Sequence, residues 1–432
     1  MNKKRSLSIF IIILLFAGIF SNLTAQEKKI KEALGKFLQE ITELRHHLHQ
    51  YPELGNREFK TAKIVADHCR KNGLEVTENI AHTGVVAILK GGKPGPVVAV
   101  RADMDALPII EETDIPYRSE VKTEYRGQEV GVMHACGHDV HTAVQLGVVS
   151  VLASMKNDIP GTIKFIFQPA EEGSPPGERG GAYLMVEEGV LKDPAPEAIF
   201  GLHTGGPLGY VGYSIGPALA AVDNFSIIVR GKQAHGASPD QSVDPIVTAS
   251  QVVLALQTIR ARNLSPLQPS VITIGIFRSG NRSNIIPREA YLEGTVRTYD
   301  PEIRNSIEKR MREITDGITS SAGATFELNY RRGSSATIND PVLTNKMLPT
   351  LKRILGEDKV VEQPPLMGSE DFSNYANIIP GFFFFLGHSN PDNPGGPHHN
   401  PKFLADDGCL SVGIKAMSNL VMDYLRSGGL EK

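Results

Sequence analysis

Four short, predominantly apolar runs, each followed at once by polar residues, constrain the fold of this chain more than anything else in it. The run 97–100 enters Arg101-Ala102-Asp103-Met104-Asp105, and the run 163–167 enters Gln168-Pro169-Ala170-Glu171-Glu172. The run 198–202 delivers His203, and 382–386 delivers Gly387-His388. Runs of this length and composition suit strands buried on both faces, as in a largely parallel sheet. In open α/β sheets the sites lie at the carboxyl ends of the strands. Asp103, Asp105, Glu171, Glu172 and His203 all fall at such ends, so residues far apart in the chain are expected to converge on one crevice. The fold class expected is α/β, with a mostly parallel sheet.

Between 219 and 333 the pattern changes. Strand-like segments over 224–230, 270–277, 291–298 and 325–330 alternate with helices expected over 244–262 and 301–323. In the second helix Asp300 is the expected N-cap, Pro301 takes the first position, and Ile303, Ile307, Met311, Ile314 and Ile318 share one face. The order β-α-β-β-α-β is that of the ferredoxin-like split unit. A chain of 432 residues also exceeds what one hydrophobic core usually serves. The expectation is therefore an inserted domain over 219–333, interrupting a first domain built from 26–218 and 334–432.

The amino terminus carries Lys3, Lys4 and Arg5, then a nearly unbroken apolar stretch over 7–20, then small and polar residues. The apolar part is too short for a spanning helix, so 1–25 is expected to be a cleaved signal peptide. That makes the protein secreted or periplasmic, with no stable membrane anchor after cleavage. Three cysteines cannot form a disulfide framework, and Cys69 and Cys409 are expected to be buried thiols. Lys+Arg 45 against Asp+Glu 48 gives a net charge of -3, which supplies no reason to propose nucleic acid or an anionic membrane as partner. The substrate must be argued from the site.

The richest stretch for chemistry is Met133-His-Ala-Cys-Gly-His-Asp-Val-His-Thr-Ala143. Cys136 and His138 are two apart, a spacing that a loop can aim at one metal ion. Asp139 is read as the N-cap of a helix over 142–155, which leaves Cys136 and His138 just outside it. In Glu171-Glu172, placed after a buried strand and a proline, one carboxylate can bind metal while its neighbour takes a proton from a bound water. The Gly- and Pro-rich loop Gly395-Gly-Pro-His-His-Asn-Pro-Lys-Phe403 frees one imidazole of a pair to reach inward. With Cys136, His138, Glu172 and His203 that makes five donors, enough for two ions sharing a bridge. His46, His47 and His49 are read as helix-surface or supporting residues, and His141 as structural.

Six motifs in order then carry a resemblance. They are Arg101-Ala-Asp-Met-Asp-Ala-Leu-Pro108, Met133-His-Ala-Cys-Gly-His-Asp-Val-His-Thr142, Phe167-Gln-Pro-Ala-Glu-Glu172, Gly201-Leu-His203, Gly231-Lys-Gln-Ala-His235 and Met367-Gly-Ser-Glu-Asp-Phe372. On these residues the chain resembles the amidohydrolase branch of the aminoacylase and carboxypeptidase family of dinuclear metallohydrolases, the branch of hippurate hydrolase and auxin-conjugate hydrolases. The resemblance implies that Cys136 is a bridging ligand, that His138, Glu172, His203 and His399 complete two sites, and that Glu171 is the general base. His399 is preferred to His398 because it stands two before a proline and four before an aromatic, as in the family pattern. Asp105 would orient a ligand, supported by Asp103. In the inserted domain His235 and Asn284 would stabilise a developing oxyanion, and Arg297 would hold the substrate carboxylate. In this family that domain also serves as a lid and in dimerisation, so a homodimer is implied.

The reading is a metal-dependent hydrolase of N-acyl amino acids, hippurate-like or acetylated, that uses two divalent ions. Zinc or manganese suits the donor set, and cobalt or nickel is admitted by it. The alternative is a carboxypeptidase or dipeptidase that uses the same centre on short peptides.

Overall fold

The computed structural model describes the chain from Asn2 to Leu430, with side chains from Ala25 onward. The signal segment expected over 1–25 falls outside the described side chains, Ala25 apart. The chain divides into two compact units. The first runs to Gly216 and resumes over Asn339–Gln363 and from Tyr375 onward, and the second comprises Pro217–Ile338 and Pro364–Asn374. The sequence reading confines the inserted domain to 219–333, whereas the second unit runs from Pro217 to Ile338 and also takes in Pro364–Asn374. The backbone of that last segment is tied there: the Leu366 N–H donates to Ala218 O at 2.9 Å and the Ala220 N–H to Gly368 O at 2.8 Å.

The first unit holds an eight-stranded sheet. Its centre is made of β1 (Lys93–Asp103), β2 (Pro160–Gln168), β3 (Ala198–Thr204) and β4 (Gly381–Leu386), standing in the order β2-β1-β3-β4 with every pair parallel. Antiparallel strands Gly84–Lys90 and Glu75–Ile80 continue the sheet beyond β2, and Val211–Tyr213 and Val360–Glu362 continue it beyond β4. All of β4 is buried, and Val98, Val100, Ile163, Phe165, Phe200, Phe382 and Phe384 belong to one core. Burying a side chain of that size contributes roughly 1.5–3 kcal/mol, so the four apolar runs account for the sheet's position.

Four helices matter for the site: α1 (Asn2–Gln50), α2 (Phe59–Lys71), α3 (His138–Ser154) and α4 (Gly408–Arg426). Helix α3 packs on β1 and is buried from His138 to Leu152, in keeping with a sequence that is mostly apolar after Thr142. Helix α1 lies on α3 and α4, with Ile30, Ala33, Leu34, Ile41 and Leu48 on its buried stripe.

In the second unit the strands Ser270–Ser279, Glu289–Thr298, Ala221–Arg230 and Thr325–Arg332 stand in that spatial order, all antiparallel. Helices Pro245–Thr258 and Pro301–Ser321 complete the β-α-β-β-α-β sequence. Phe225, Ile227, Val229, Val252, Leu256, Leu292, Val296, Ile307 and Met311 form its separate core. Asp300 caps the second helix by accepting from the N–H groups of Glu302 and Ile303.

Candidate metal centre

The strand ends and one helix start of the first unit bring the expected residues together. Asp103 ends β1 and Asp105 follows it, Glu171 and Glu172 follow β2, and His203 lies near the end of β3. Cys136 precedes α3 and His138 is its first residue. The helix thus begins four residues earlier than the sequence suggests. Asp139 does not cap it: the carboxylate accepts from Arg45 Nε at 2.8 Å and lies 2.9 Å from His49 Nδ1. Charged and imidazole partners from α1 outcompete the helix N–H groups for this carboxylate. Gly137, at φ 88°, makes the corner between the two donors, and a Cβ there would meet Thr204 Oγ1 at 2.4 Å.

Donor atoms of Cys136, His138 and His203 lie within 4.8 Å of one another, and so do those of Cys136, Glu172 and His399. Cys136 is therefore common to two triads that otherwise share nothing. Its Sγ is 3.4 Å from His203 Nε2, and His399 Nε2 is 3.0 Å from Glu172 Oε1. A third group, His138 with Glu171 and Glu172, has the same spacing, with His138 Nε2 3.9 Å from Glu171 Oε2.

The outward-facing ring nitrogens of His203 and His138 are both engaged. His203 Nδ1 is 2.8 Å from Thr204 O, and His138 Nδ1 is 2.9 Å from Asp105 O and 3.2 Å from Asp105 Oδ1. Such bonds fix the tautomer and turn each Nε2 toward the shared centre. His138 Nε2 is buried there without a hydrogen-bond partner. An orphaned imidazole nitrogen beside a thiol, a second imidazole and carboxylates is what a divalent cation would satisfy. The residues present therefore fit two metal ions.

Electrostatics agree with that fit. Burial drives the Cys136 thiol well above its ordinary range, and the Glu172 and Glu171 carboxylates add to the effect. Burial opposes charge on His138, but Asp103 and Asp105 outweigh it and raise that imidazole well above its usual value. Burial likewise pushes Glu172 up, and the bond from His399 together with the His138 charge overcomes it and holds the carboxyl low. A cation would release the protons that Cys136 and His138 hold in its absence.

The remaining motif residues serve as supports. His141 Nδ1 is 2.7 Å from Asp103 Oδ1, and its Nε2 accepts from Thr204 N at 2.8 Å. Asp103 is also held by Arg101 at 2.7 Å. His398 turns away from Glu172: its ring stacks on Phe403 at 5.0 Å and its Nε2 is 3.2 Å from Thr204 Oγ1. Sequence reasoning missed Arg45, Thr204 and the role of His49. Thr204 contacts His141, His398 and Cys136 O. Its only sequence signal is adjacency to His203.

His235, Asn284 and Arg297 belong to the second unit. His235 is exposed, pairs with Ile285 across a two-strand ladder, and accepts from the Ala237 N–H at 3.0 Å through Nδ1. Asn284 is exposed beside that ladder, its carbonyl accepting from the Gly236 N–H at 2.9 Å. Arg297 lies on Glu289–Thr298 between buried Val296 and buried Thr298, so its side chain leaves the strand on the face opposite theirs. Its partial burial lowers the guanidinium pKa.

An α/β unit whose strand ends gather a thiol, three imidazoles and paired carboxylates has the architecture of a metal-dependent hydrolase. The chain belongs to peptidase family M20/M25/M40, whose family model matches residues 99–423. It is 40% identical over 403 residues to thermostable carboxypeptidase 1 of Saccharolobus solfataricus, spanning 92% of this chain and 98% of that one. It is 37% identical over 389 residues to N-acetyl-L-cysteine deacetylase of Bacillus subtilis, spanning 89% and 88%. The crystal structure of the YXEP protein of Bacillus subtilis, a dinuclear metal binding peptidase of the M20 family, superposes with a TM-score of 0.76 at 33% identity, covering 91% of this chain and 99% of that one.

Proposed function

We propose that this protein is an amidohydrolase that cleaves N-acyl amino acids into a carboxylic acid and an amino acid. The observation that carries the reading is the sharing of Cys136 between two donor triads, with Glu171 grouped beside Glu172 and His138. The relationship to a deacetylase of N-acetyl-L-cysteine supports the substrate class.

Two divalent cations held by Cys136, His138, Glu172, His203 and His399 would supply Lewis acidity to a water molecule and to the substrate carbonyl. Zinc or manganese is the expected metal, with cobalt or nickel compatible with the same donors. Glu171 accepts a proton from the attacking water and returns it to the leaving nitrogen, so water and amide become acid and amine. Asp105 keeps His138 in the orientation that presents Nε2. To His235 and Asn284 we assign hydrogen bonds to the substrate oxygen as it gains charge, and to Arg297 a bidentate pair with the substrate carboxylate.

The amino-terminal pattern supports export, making the protein secreted or periplasmic after cleavage near Ala25. The second unit is proposed to act as a lid and to pair two copies in a homodimer. A second reading, a carboxypeptidase acting through the same residues, is favoured by the 40% identity to thermostable carboxypeptidase 1.

Hydrolysis of a panel of N-acetyl and N-benzoyl amino acids, set against dipeptides and carboxy-terminally extended peptides, tests the proposal on protein reconstituted with each metal. Preferential release of acetate or benzoate supports it. Turnover confined to peptides replaces it with the peptidase reading.

A further inference from the structure

The turn that carries Glu171 and Glu172 is held from beneath by a segment that the proposed mechanism does not use. Ala170, the residue before Glu171, has φ 51°, a left-handed conformation that non-glycine residues seldom adopt. Such a residue persists only where its surroundings over-determine it. Two buried carboxylates do so here. The Ala170 N–H donates to Glu58 Oε1 at 2.9 Å, and the Glu172 N–H donates to Asp105 Oδ2 at 2.9 Å.

Glu58 is completely buried, and its Oε2 lies 2.6 Å from Thr83 Oγ1. The segment leading to it is fitted to the same turn. A Cβ on Gly55 would meet Gly173 O at 2.7 Å and Ala170 Cα at 3.1 Å, so only glycine admits this approach. The segment is anchored in turn to the residues after β1, since the Ala106 N–H donates to Glu53 O at 2.8 Å. Burial, and after it the Asp105 carboxylate, push the Glu58 carboxyl up to about 8. Whichever form the acid takes, Oε1 accepts from Ala170 and the other oxygen is paired with Thr83.

We propose that Glu58 is a positioning residue that fixes the left-handed turn at Ala170, and through it the directions of the Glu171 and Glu172 side chains. The inference rests on the reading of Glu171 as base and Glu172 as ligand. What is required of Glu58 is an acceptor for the Ala170 N–H in an apolar enclosure, not a charge. Gln keeps such an acceptor in nearly the same volume. Met fills that volume and offers none.

The test compares Glu58→Gln and Glu58→Met in the full chain. The readouts are kcat and KM, and the visible absorption of the cobalt(II)-reconstituted protein, which reports ligand geometry independently of turnover. Glu58→Met should lose at least tenfold in kcat with KM within about threefold, and should alter the cobalt spectrum. Glu58→Gln should restore both to near wild type. A Glu58→Met protein with wild-type kcat and an unchanged spectrum overturns the inference, as does equal impairment in the two variants. Should Glu58→Met fail to fold, Thr83→Val takes its place, because it removes the group that holds Glu58 in register. It should shift the spectrum and lower kcat severalfold, and an unchanged protein refutes the proposal. If wild type hydrolyses no N-acyl amino acid, the functional reading fails while the cobalt spectra still decide the role of Glu58.

Discussion

Asp105 joins His138 to Glu172: its Oδ1 is 3.2 Å from His138 Nδ1, and its Oδ2 accepts the Glu172 N–H at 2.9 Å. One carboxylate thereby sets the orientation of two donors delivered by different segments, a helix start and the turn after β2. Both donors belong to the group that includes Glu171.

Removing that link should loosen metal without abolishing the fold. Asp105→Ala is expected to weaken metal affinity about 10–100-fold, the usual cost of losing a partner that orients a ligand. Competition with a chelator of known affinity measures it. Wild-type affinity in the variant would mean that His138 and Glu172 are oriented without Asp105.

Glu171→Gln separates proton transfer from metal binding. The amide keeps the shape but cannot accept the water's proton, so turnover should fall by roughly 10²–10⁴-fold. Metal content, read by elemental analysis, should stay at the wild-type level. Near-normal turnover would exclude Glu171 as the base.

A third prediction concerns stability. Arg45 is fully buried, with Nε 2.8 Å from Asp139 Oδ2 and Nη1 3.1 Å from Asp407 Oδ1. Arg45→Met takes the guanidinium from the buried Asp139 carboxylate and leaves His49 beside it, and breaking a buried pair in this way costs about 3–5 kcal/mol. Urea denaturation followed by circular dichroism reads that loss. The pH dependence follows from Asp139. Burial raises its pKa, but Arg45 and His49 outweigh that and hold the group far below its ordinary 3.8. A carboxyl depressed in the fold contributes stability above its unfolded pKa and loses it as pH falls toward the folded one. Wild type should therefore lose stability steadily below about pH 4, and the variant should lose less over the same range. Parallel curves for the two proteins would remove Asp139 from the account.

The contrast between Cys136 and Arg45 shows what a sequence of this kind reveals. Cys136, His138, Glu171, Glu172, His203 and His399 stand out because soft, imidazole and acidic donors follow apolar strands or sit in rigid loops, and the structure brings them together. The four apolar runs and the β-α-β-β-α-β order are legible for a similar reason, since periodicity and capping are local. Arg45, His49 and Glu58 carry no local mark. Each lies on or beside an amphipathic helix where a polar residue usually faces water, and its partner is distant in the chain. Asp139 shows the same limit from the other side. Its place before an apolar helix suggests a cap, and only the packing of α1 on α3 reveals the partners it prefers. The grouping of Pro364–Asn374 with the second unit likewise depends on backbone pairing that no short motif announces.

If the Cys136 thiolate serves both metal sites, wild type and Cys136→Ala must differ in the number of ions bound per chain after reconstitution and removal of excess metal. Wild type should hold two and the variant fewer than one, because both triads lose their common donor. Two tightly held ions in Cys136→Ala would mean that the thiolate is not shared between the sites.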